Sequence, residues 1–403
     1  MLWESTDRQR VSEALQAVEP HLRRAPFIAS ALDACGVTPG TLDADALTRV
    51  RPARKRDFRA TSYVERSVET ESGRLVLGSS GTSGPPTLYC WTAEDLRHVG
   101  AVTRPLRAAL GVTRDDVGAV WAPTDRSVMG QAMVAEFLAE GCCVHLLGAA
   151  DPRTALQELI AGGATIVKGL PGPLSSLATL ADGHIEVRQA HVGGDLLSAA
   201  RRAAIERGLE CDCYNFYGLS EVYGPLAAEC TEKDGMHFLD GDVLIEVLDP
   251  DTLLPVTPGS LGIAVFTSLW PKTSPVLRYW SDDVFEVMPR PCRCGNPMLP
   301  LRYHGRYVGP AYDRRVPLSL LRIEATVDQF VGGVGAYDLV LGQEKAALSL
   351  LATGEVDPGG LARELSTYLG TTVDVDVDAS RPPRPKIGSV SSSRPLPESD
   401  APE

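Results

Sequence analysis

The 403-residue chain is 44% hydrophobic and 23% charged, ordinary for a soluble protein of two or three domains. Its formal charge of −13 argues against a general basic surface for nucleic acid, because neutralising phosphates needs an excess of Lys and Arg. No apolar run reaches the roughly 18–20 residues that span a bilayer, and the start lacks an apolar leader, so the chain reads as cytoplasmic with no membrane partner.

Between residues 74 and 220 short β-type runs alternate with helical stretches. Arg74–Leu77 reads as a strand ending in a Ser/Gly/Thr loop, and Val117–Trp121 as a second strand. A helix over Gln131–Glu140 precedes a strand over Cys142–Leu147. A helix over Pro152–Ala161 precedes Thr165–Val167, and an amphipathic helix over Leu196–Arg207 precedes Cys213–Tyr217. Strands spaced by such helices predict a mostly parallel sheet with helical cover. Beyond residue 240 the strand-like runs Val243–Leu248, Ile263–Thr267 and Val276–Trp280 are separated by Pro, Gly and Asp clusters, which predicts an antiparallel sheet or barrel. A further unit starts near Gly309 with strands at Tyr337–Leu341, Ala347–Leu351 and Thr372–Val377 and a helix at Gly359–Leu369. The expected fold class is α/β. A large N-terminal domain over 1–306 is made of layered α/β subdomains plus a β-rich part at about 225–305, a small α+β domain spans 307–390, and a polar, proline-rich tail over 391–403 is expected to be disordered.

Three groups of residues carry chemistry. The run Ser79-Ser80-Gly81-Thr82-Ser83-Gly84-Pro85-Pro86-Thr87 follows a strand and offers hydroxyls and unobstructed backbone N–H groups to a polyphosphate; it lacks the Gly-Lys-Ser/Thr ending of a Walker loop. Its bland alternative is a flexible linker. The run Tyr214-Asn215-Phe216-Tyr217-Gly218-Leu219-Ser220-Glu221 puts an aromatic face, a turn, a hydroxyl and a carboxylate close together, suited to adenine stacking, a phosphate contact and a Mg²⁺ ligand. A buried Tyr and a solvated Glu would look the same. Nine cysteines without a secretion signal read as mostly reduced. Among them Cys230, Cys292 and Cys294 with His237 form a Cys₃His set fit for a structural Zn²⁺, the alternative being buried cysteines beside an unrelated histidine. Cys211 and Cys213 alternate onto one strand face and read as core.

Together these segments resemble the AMP-forming adenylating enzymes (acyl-CoA synthetases, adenylation domains and luciferases), and within them the phenylacetate-CoA ligase branch. The resemblance covers nearly the whole chain. It runs from Pro26-Phe27, Val37-Thr38-Pro39 and Arg54-Lys55-Arg56-Asp57-Phe58 through Tyr217–Pro225 and Ala228-Glu229-Cys230. It continues through Phe266–Leu269, Pro275–Tyr279 and Asp283 to His304-Gly305-Arg306.

The resemblance implies that Ser79, Ser80, Gly81, Thr82, Ser83, Gly84 and Thr87 hold the β- and γ-phosphates of ATP. It places Tyr217 against adenine, Ser220 near the α-phosphate, Glu221 on Mg²⁺, Asp283 on the ribose hydroxyls, and Arg306 near ribose and phosphates at the start of a hinge to a mobile small domain. Gly193, Gly194 and Asp195 match the turn that closes over carboxylate and adenine. Lys386 matches the lysine that bridges the substrate carboxylate and the α-phosphate, where a cation offsets charge building on phosphorus; its bland alternative is a solvated tail lysine. The acyl pocket is expected among Trp121, Val128, Met129, Gly193, Asn215, Phe216 and Gly218, which are apolar and flat-sided enough for an aromatic carboxylate.

Three departures stand out: Pro85 where the family's phosphate loop has a lysine, Tyr307-Val308-Gly309 in place of an acidic hinge pair, and Arg314–Ser319 in place of the loop that helps line the thiol tunnel. The expected function is an ATP-dependent, AMP-forming ligase that adenylates an aryl or heteroaryl acid and passes the acyl group to coenzyme A, as co-substrate, or to an acyl or peptidyl carrier protein. An amine acceptor, or a degenerate nucleotide-binding homologue, are the alternatives. A homodimer stays open, since a dimer would leave no clear mark in this sequence.

Overall fold

The computed structural model describes residues 8–79, 86–125, 127–181, 185–222, 224–308, 317–331, 336–342, 345–351, 355–377 and 388–392. Four short helices open it: α1 (Arg8–Leu22), α2 (Pro26–Ala34), α3 (Ala44–Arg49) and α4 (Lys55–Ala60). They bury Val11, Leu15, Leu22, Ile28, Leu32 and Leu47 against Leu244 and Leu277. Next comes an antiparallel pair, β1 (Arg74–Gly78) and β2 (Leu88–Thr92), whose connection is the Ser/Gly/Thr loop.

The α/β part follows in order: α5 (Ala93–Val102), α6 (Arg104–Ala108), β3 (Val117–Trp121), α7 (Val128–Glu140), β4 (Cys143–Leu146), α8 (Pro152–Ala161), β5 (Ile166–Gly169), α9 (Pro171–Ala181), β6 (Gln189–Gly193), α10 (Ala199–Leu209) and β7 (Asp212–Leu219). Local chemistry sets several boundaries. Ser127 caps α7 through Gly130 N–H, and Gly141 ends it at φ 79°. Asp151 caps α8, with Pro152 supplying a helical φ at the first position. Every residue of β5 and β6 is buried, as strands covered on both faces must be.

The β-rich run comprises β8 (Gly224–Glu229), β9 (Met236–Phe238), β10 (Val243–Leu248), β11 (Leu261–Ser268), β12 (Tyr279–Val287) and β13 (Leu301–Arg306). These antiparallel strands join the parallel ones edge to edge in one eleven-stranded sheet, ordered β10-β11-β12-β13-β9-β8-β7-β6-β5-β3-β4. The strand expected at Val276–Trp280 is displaced to Tyr279–Val287. The reason is local: Ser281-Asp282-Asp283 break the apolar alternation, Asp282 sits at φ 60°, and the pairing with β13 shifts register at Val284/Phe285. Such irregularities recur beside functional sites, where they re-aim a side chain.

The small unit holds α11 (Leu320–Phe330), β14 (Ala336–Leu341), β15 (Lys345–Leu351), α12 (Pro358–Leu369), β16 (Thr372–Val377) and β17 (Gly388–Ser392), with sheet order β16-β15-β14-β17. β17 pairs in parallel with β14 and reaches Ser392, two residues into the segment expected as tail. The unit docks on the large one through charge. Arg201 on α10 is fully buried, with Nε 2.5 Å from Glu324 Oε1 and Nη2 3.9 Å from Asp328 Oδ1, both on α11. Ser198 donates to Asp328, and Leu196 joins the small unit's apolar core.

Burial, reinforced by Asp328, pushes the Glu324 carboxyl up to about 7 despite Arg201. An acid whose pKa is higher when docked than when exposed favours docking at low pH and loses that advantage as pH rises from about 4.5 through 7. Docking is therefore expected to be tighter at pH 6 than at pH 8. Small-angle scattering of the wild type should show the expansion at pH 8, and Glu324→Gln should flatten the dependence.

Candidate active site

The carboxyl ends of the central strands converge where the parallel and antiparallel halves of the sheet meet. There Asp283, fully buried on β12, collects three donors: Tyr217 OH at 2.6 Å, Tyr303 OH at 3.3 Å and Arg306 Nε at 3.1 Å. Arg306 also donates through Nη1 to Ser281 O at 2.7 Å. The rings of Tyr217, Phe238, Phe266, Phe285 and Tyr303 pack together beneath, with Tyr217 edge-on to Phe285 at 4.9 Å. Burial raises the Asp283 carboxyl, while Arg306 and Tyr217 oppose the rise. Asp283 in turn holds the Arg306 guanidinium above its ordinary range. A buried acceptor carboxylate with a half-exposed cation beside it is suited to a diol under a charged group.

Ser220 and Glu221 follow directly at the end of β7, Ser220 half-buried and Glu221 buried. Two lysines with no expected role at this site attend Glu221. Lys272, only 3% exposed, donates through Nζ to the carbonyls of Glu221 (3.2 Å) and Val222 and so pins the motif's backbone. Burial brings its ammonium down to about 7. Lys55, the first residue of α4, has its ammonium lowered by burial, with Glu221 attracting and Arg306 repelling its charge. Scarcity is the one signal available beforehand: the chain has six lysines, and two of them are here.

Of the Ser/Gly/Thr loop expected to hold phosphates, Ser79 and Thr87 are described. Ser79 N–H donates to Thr87 O at 2.9 Å and Thr87 N–H to Ser79 Oγ at 3.1 Å, closing the loop's base. Ser80, Gly81, Thr82, Ser83 and Gly84 lie outside the described residues, as do Pro85 and Lys386. Gly193 ends β6, where any Cβ would strike Phe216 O at 2.6 Å; Gly194 turns at φ 81°, and Asp195 Oδ1 accepts Leu196 N–H at 2.9 Å.

The residues expected to line the acyl pocket separate by sheet face. Phe216, Gly218, Gly193 and Met129 lie on the α7 side, with the Met129 methyl against Gly218. Val128 is buried at the start of α7 beside Tyr217, Leu219 and Val222. Trp121 is not with them. It packs on the opposite face among residues of α8 and α9 and donates Nε1–H to Ala150 O at 3.0 Å. Asn215 also alternates away from Phe216; its N–H donates to Glu229.

The phenylacetate-coenzyme A ligase of Thermus thermophilus is 28% identical over 322 residues, 74% of this chain and 68% of that one. That of Pseudomonas putida is 27% identical over 376 residues, covering 86% and 84%. A solved 2-hydroxyisobutyryl-CoA ligase in the postadenylation state superposes with a TM-score of 0.80 at 18% identity, over 96% of this chain and 90% of that one. By these matches the chain is similar in sequence to phenylacetate-CoA ligases and in fold to an AMP-forming acyl-CoA ligase. No family model matches it. The same 2-hydroxyisobutyryl-CoA ligase in its thioesterfication state superposes with a TM-score of 0.69 at 18% identity.

The chain also brings its Cys₃His residues together. Cys230 follows β8, His237 lies in β9, and Cys292 and Cys294 sit between β12 and β13; their ligand atoms lie within 4.8 Å of one another. Cys230 and Cys292 sulfurs are 3.6 Å apart, and Cys294 Sγ is 3.3 Å from His237 Nε2. A tetrahedral zinc with Zn–S of about 2.3 Å has S···S edges of about 3.8 Å, so the donor set fits that ion. Cys211 and Cys213 take no part: Cys213 is buried against α10, with Cys211 half-buried beside it, and burial raises both thiols, Cys211 to about 12. No helix among the described residues is long and apolar enough to cross a membrane.

Proposed function

We propose that the chain activates a small aromatic carboxylate with ATP and passes the acyl group to a thiol, coenzyme A or a carrier protein. The observation that carries this is the Asp283 carboxylate held by Tyr217, Tyr303 and Arg306, with Glu221 near enough to act on it through its charge. On binding ATP, Asp283 would exchange its tyrosine partners for the ribose hydroxyls, and the Tyr217 ring would flank adenine. Arg306 beside Asp283, and Lys55 near Glu221 and Arg306, would supply positive charge to the phosphates. Glu221 would hold Mg²⁺, which draws charge from the phosphate oxygens. Lys386 would bring the acid's carboxylate oxygen to the α-phosphorus. That oxygen forms the new P–O bond as pyrophosphate leaves, and a thiolate sulfur then attacks the mixed anhydride and expels AMP.

The acceptor is read separately. Trapping by hydroxylamine as a hydroxamate would register acyl adenylate whatever the natural acceptor, and comparing coenzyme A with a carrier protein and with amines identifies that acceptor. Hydroxamate formation that needs both ATP and an aromatic acid is expected. None with any acid would favour the degenerate alternative, which the retained Glu221 and Asp283 oppose.

For the Cys₃His cluster we propose a structural zinc that staples the β8–β9 turn to the β12–β13 connection. Elemental analysis is expected to give about one zinc per chain, with Cys292→Ser losing it and melting at a lower temperature. A metal-free protein of unchanged stability would contradict this.

A further inference from the structure

On the α7-side face of the sheet, two residues before Gly193 along β6, polar side chains are buried among apolar ones. The strand register lines up Val120, Lys168, His191 and Tyr214 across β3, β5, β6 and β7. Lys168 is 2% exposed, its Nζ 2.5 Å from Glu136 Oε2 on α7 and 4.2 Å from the Phe216 ring centre. Arg107 balances the pair, with Nη1 3.3 Å from Glu136 Oε1 and Nη2 3.0 Å from Glu140. His191 is fully buried and stacks on the same Phe216 ring at 4.6 Å.

A chain of hydrogen bonds sets the state of that imidazole. Gln189 Nε2 donates to Leu110 O at 2.7 Å, which turns the amide oxygen toward His191 Nε2 at 3.0 Å. Nε2 must then carry the proton, leaving Nδ1 a bare acceptor. Among the described residues Nδ1 has no hydrogen-bond partner. Burial and the Lys168 cation keep the ring neutral. A fully buried acceptor without a donor is costly unless something brings one.

We propose that His191 Nδ1 reads a hydrogen-bond donor on the substrate, so that the acid is an aromatic carboxylate bearing a hydroxyl or amino group on the ring edge remote from its carboxyl. This rests on the adenylating reading above, which puts the carboxylate at Gly193. Two residues of strand separate Gly193 from His191, about 6.6 Å at the usual rise, the depth of one six-membered ring with its substituents. Phe216 packs the ring face, and His191 with Lys168 meets its polar end. His191 is thereby a specificity residue, remote from the reacting atoms.

The test is acid-dependent ATP–pyrophosphate exchange with 3- and 4-hydroxybenzoate, 3- and 4-aminobenzoate and unsubstituted benzoate, in wild type, His191→Phe and His191→Asn. Wild type is expected to favour at least one donor-bearing acid over benzoate by about 10- to 100-fold in kcat/KM, the range for leaving a buried acceptor unpaired. His191→Phe should collapse that ratio toward one while still exchanging with benzoate, and His191→Asn, which keeps an acceptor, should retain part of it. Equal use of benzoate by the wild type, or a ratio unmoved in a folded His191→Phe, overturns the proposal and leaves adenylation standing. Exchange with no acid, even from a wider panel, overturns the adenylating reading and this inference with it.

Discussion

Lys386→Ala is expected to lower acid-dependent ATP–pyrophosphate exchange by about 100- to 1,000-fold, with the melting temperature unchanged. The range is that for removing one group aimed at charge developing in a transition state. The strand that follows Lys386 in sequence, β17, starts at Gly388 and pairs along its whole length with β14. An informative second readout is transfer from chemically made acyl adenylate to coenzyme A, which needs no attack on the α-phosphate. That half-reaction is expected to survive in Lys386→Ala. Equal loss of both halves would mean that the residue supports the small unit's structure instead.

The second large effect is at Glu221. Glu221→Gln keeps the shape and hydrogen bonds but removes the charge, and exchange is expected to fall by about 100-fold or more, with partial recovery at high Mg²⁺. Glu221 attracts the charges of both Lys55 and Lys272, so neutralising it also removes a compensating charge from each. Its backbone is pinned independently by Lys272 Nζ, so the motif's geometry is expected to persist and the loss to be chemical. A variant with normal exchange would remove Glu221 from metal binding.

Much of this site was legible in the sequence because its chemistry is local. Ser79–Thr87, Tyr217–Glu221 and the Cys₃His set each concentrate unusual residues at fixed spacings, and Val117–Trp121, Pro152–Ala161 and Thr372–Val377 show clean periodicity that matches their elements residue for residue. What was hidden depends on contacts across the chain. Lys272 reaches Glu221 from fifty-one residues away, and a lone lysine after Trp270-Pro271 carries no pattern. The strand β12 was misplaced because the residues that make it functional, Asp282 and Asp283, spoil the alternation by which strands are recognised. Trp121 was assigned to the pocket from its apolar character, but strand alternation puts Val120 on that face and Trp121 on the other. The Arg201–Glu324–Asp328 docking cluster joins two units more than 120 residues apart in sequence and has no local signature.

The most direct measurement is ATP–pyrophosphate exchange with a panel of benzoates, hydroxybenzoates, aminobenzoates, phenylacetate and heteroaryl acids, with and without thiol. Exchange dependent on one class of aromatic acid, and little changed by omitting thiol, is the predicted result. ATP binding without exchange for any acid would contradict it.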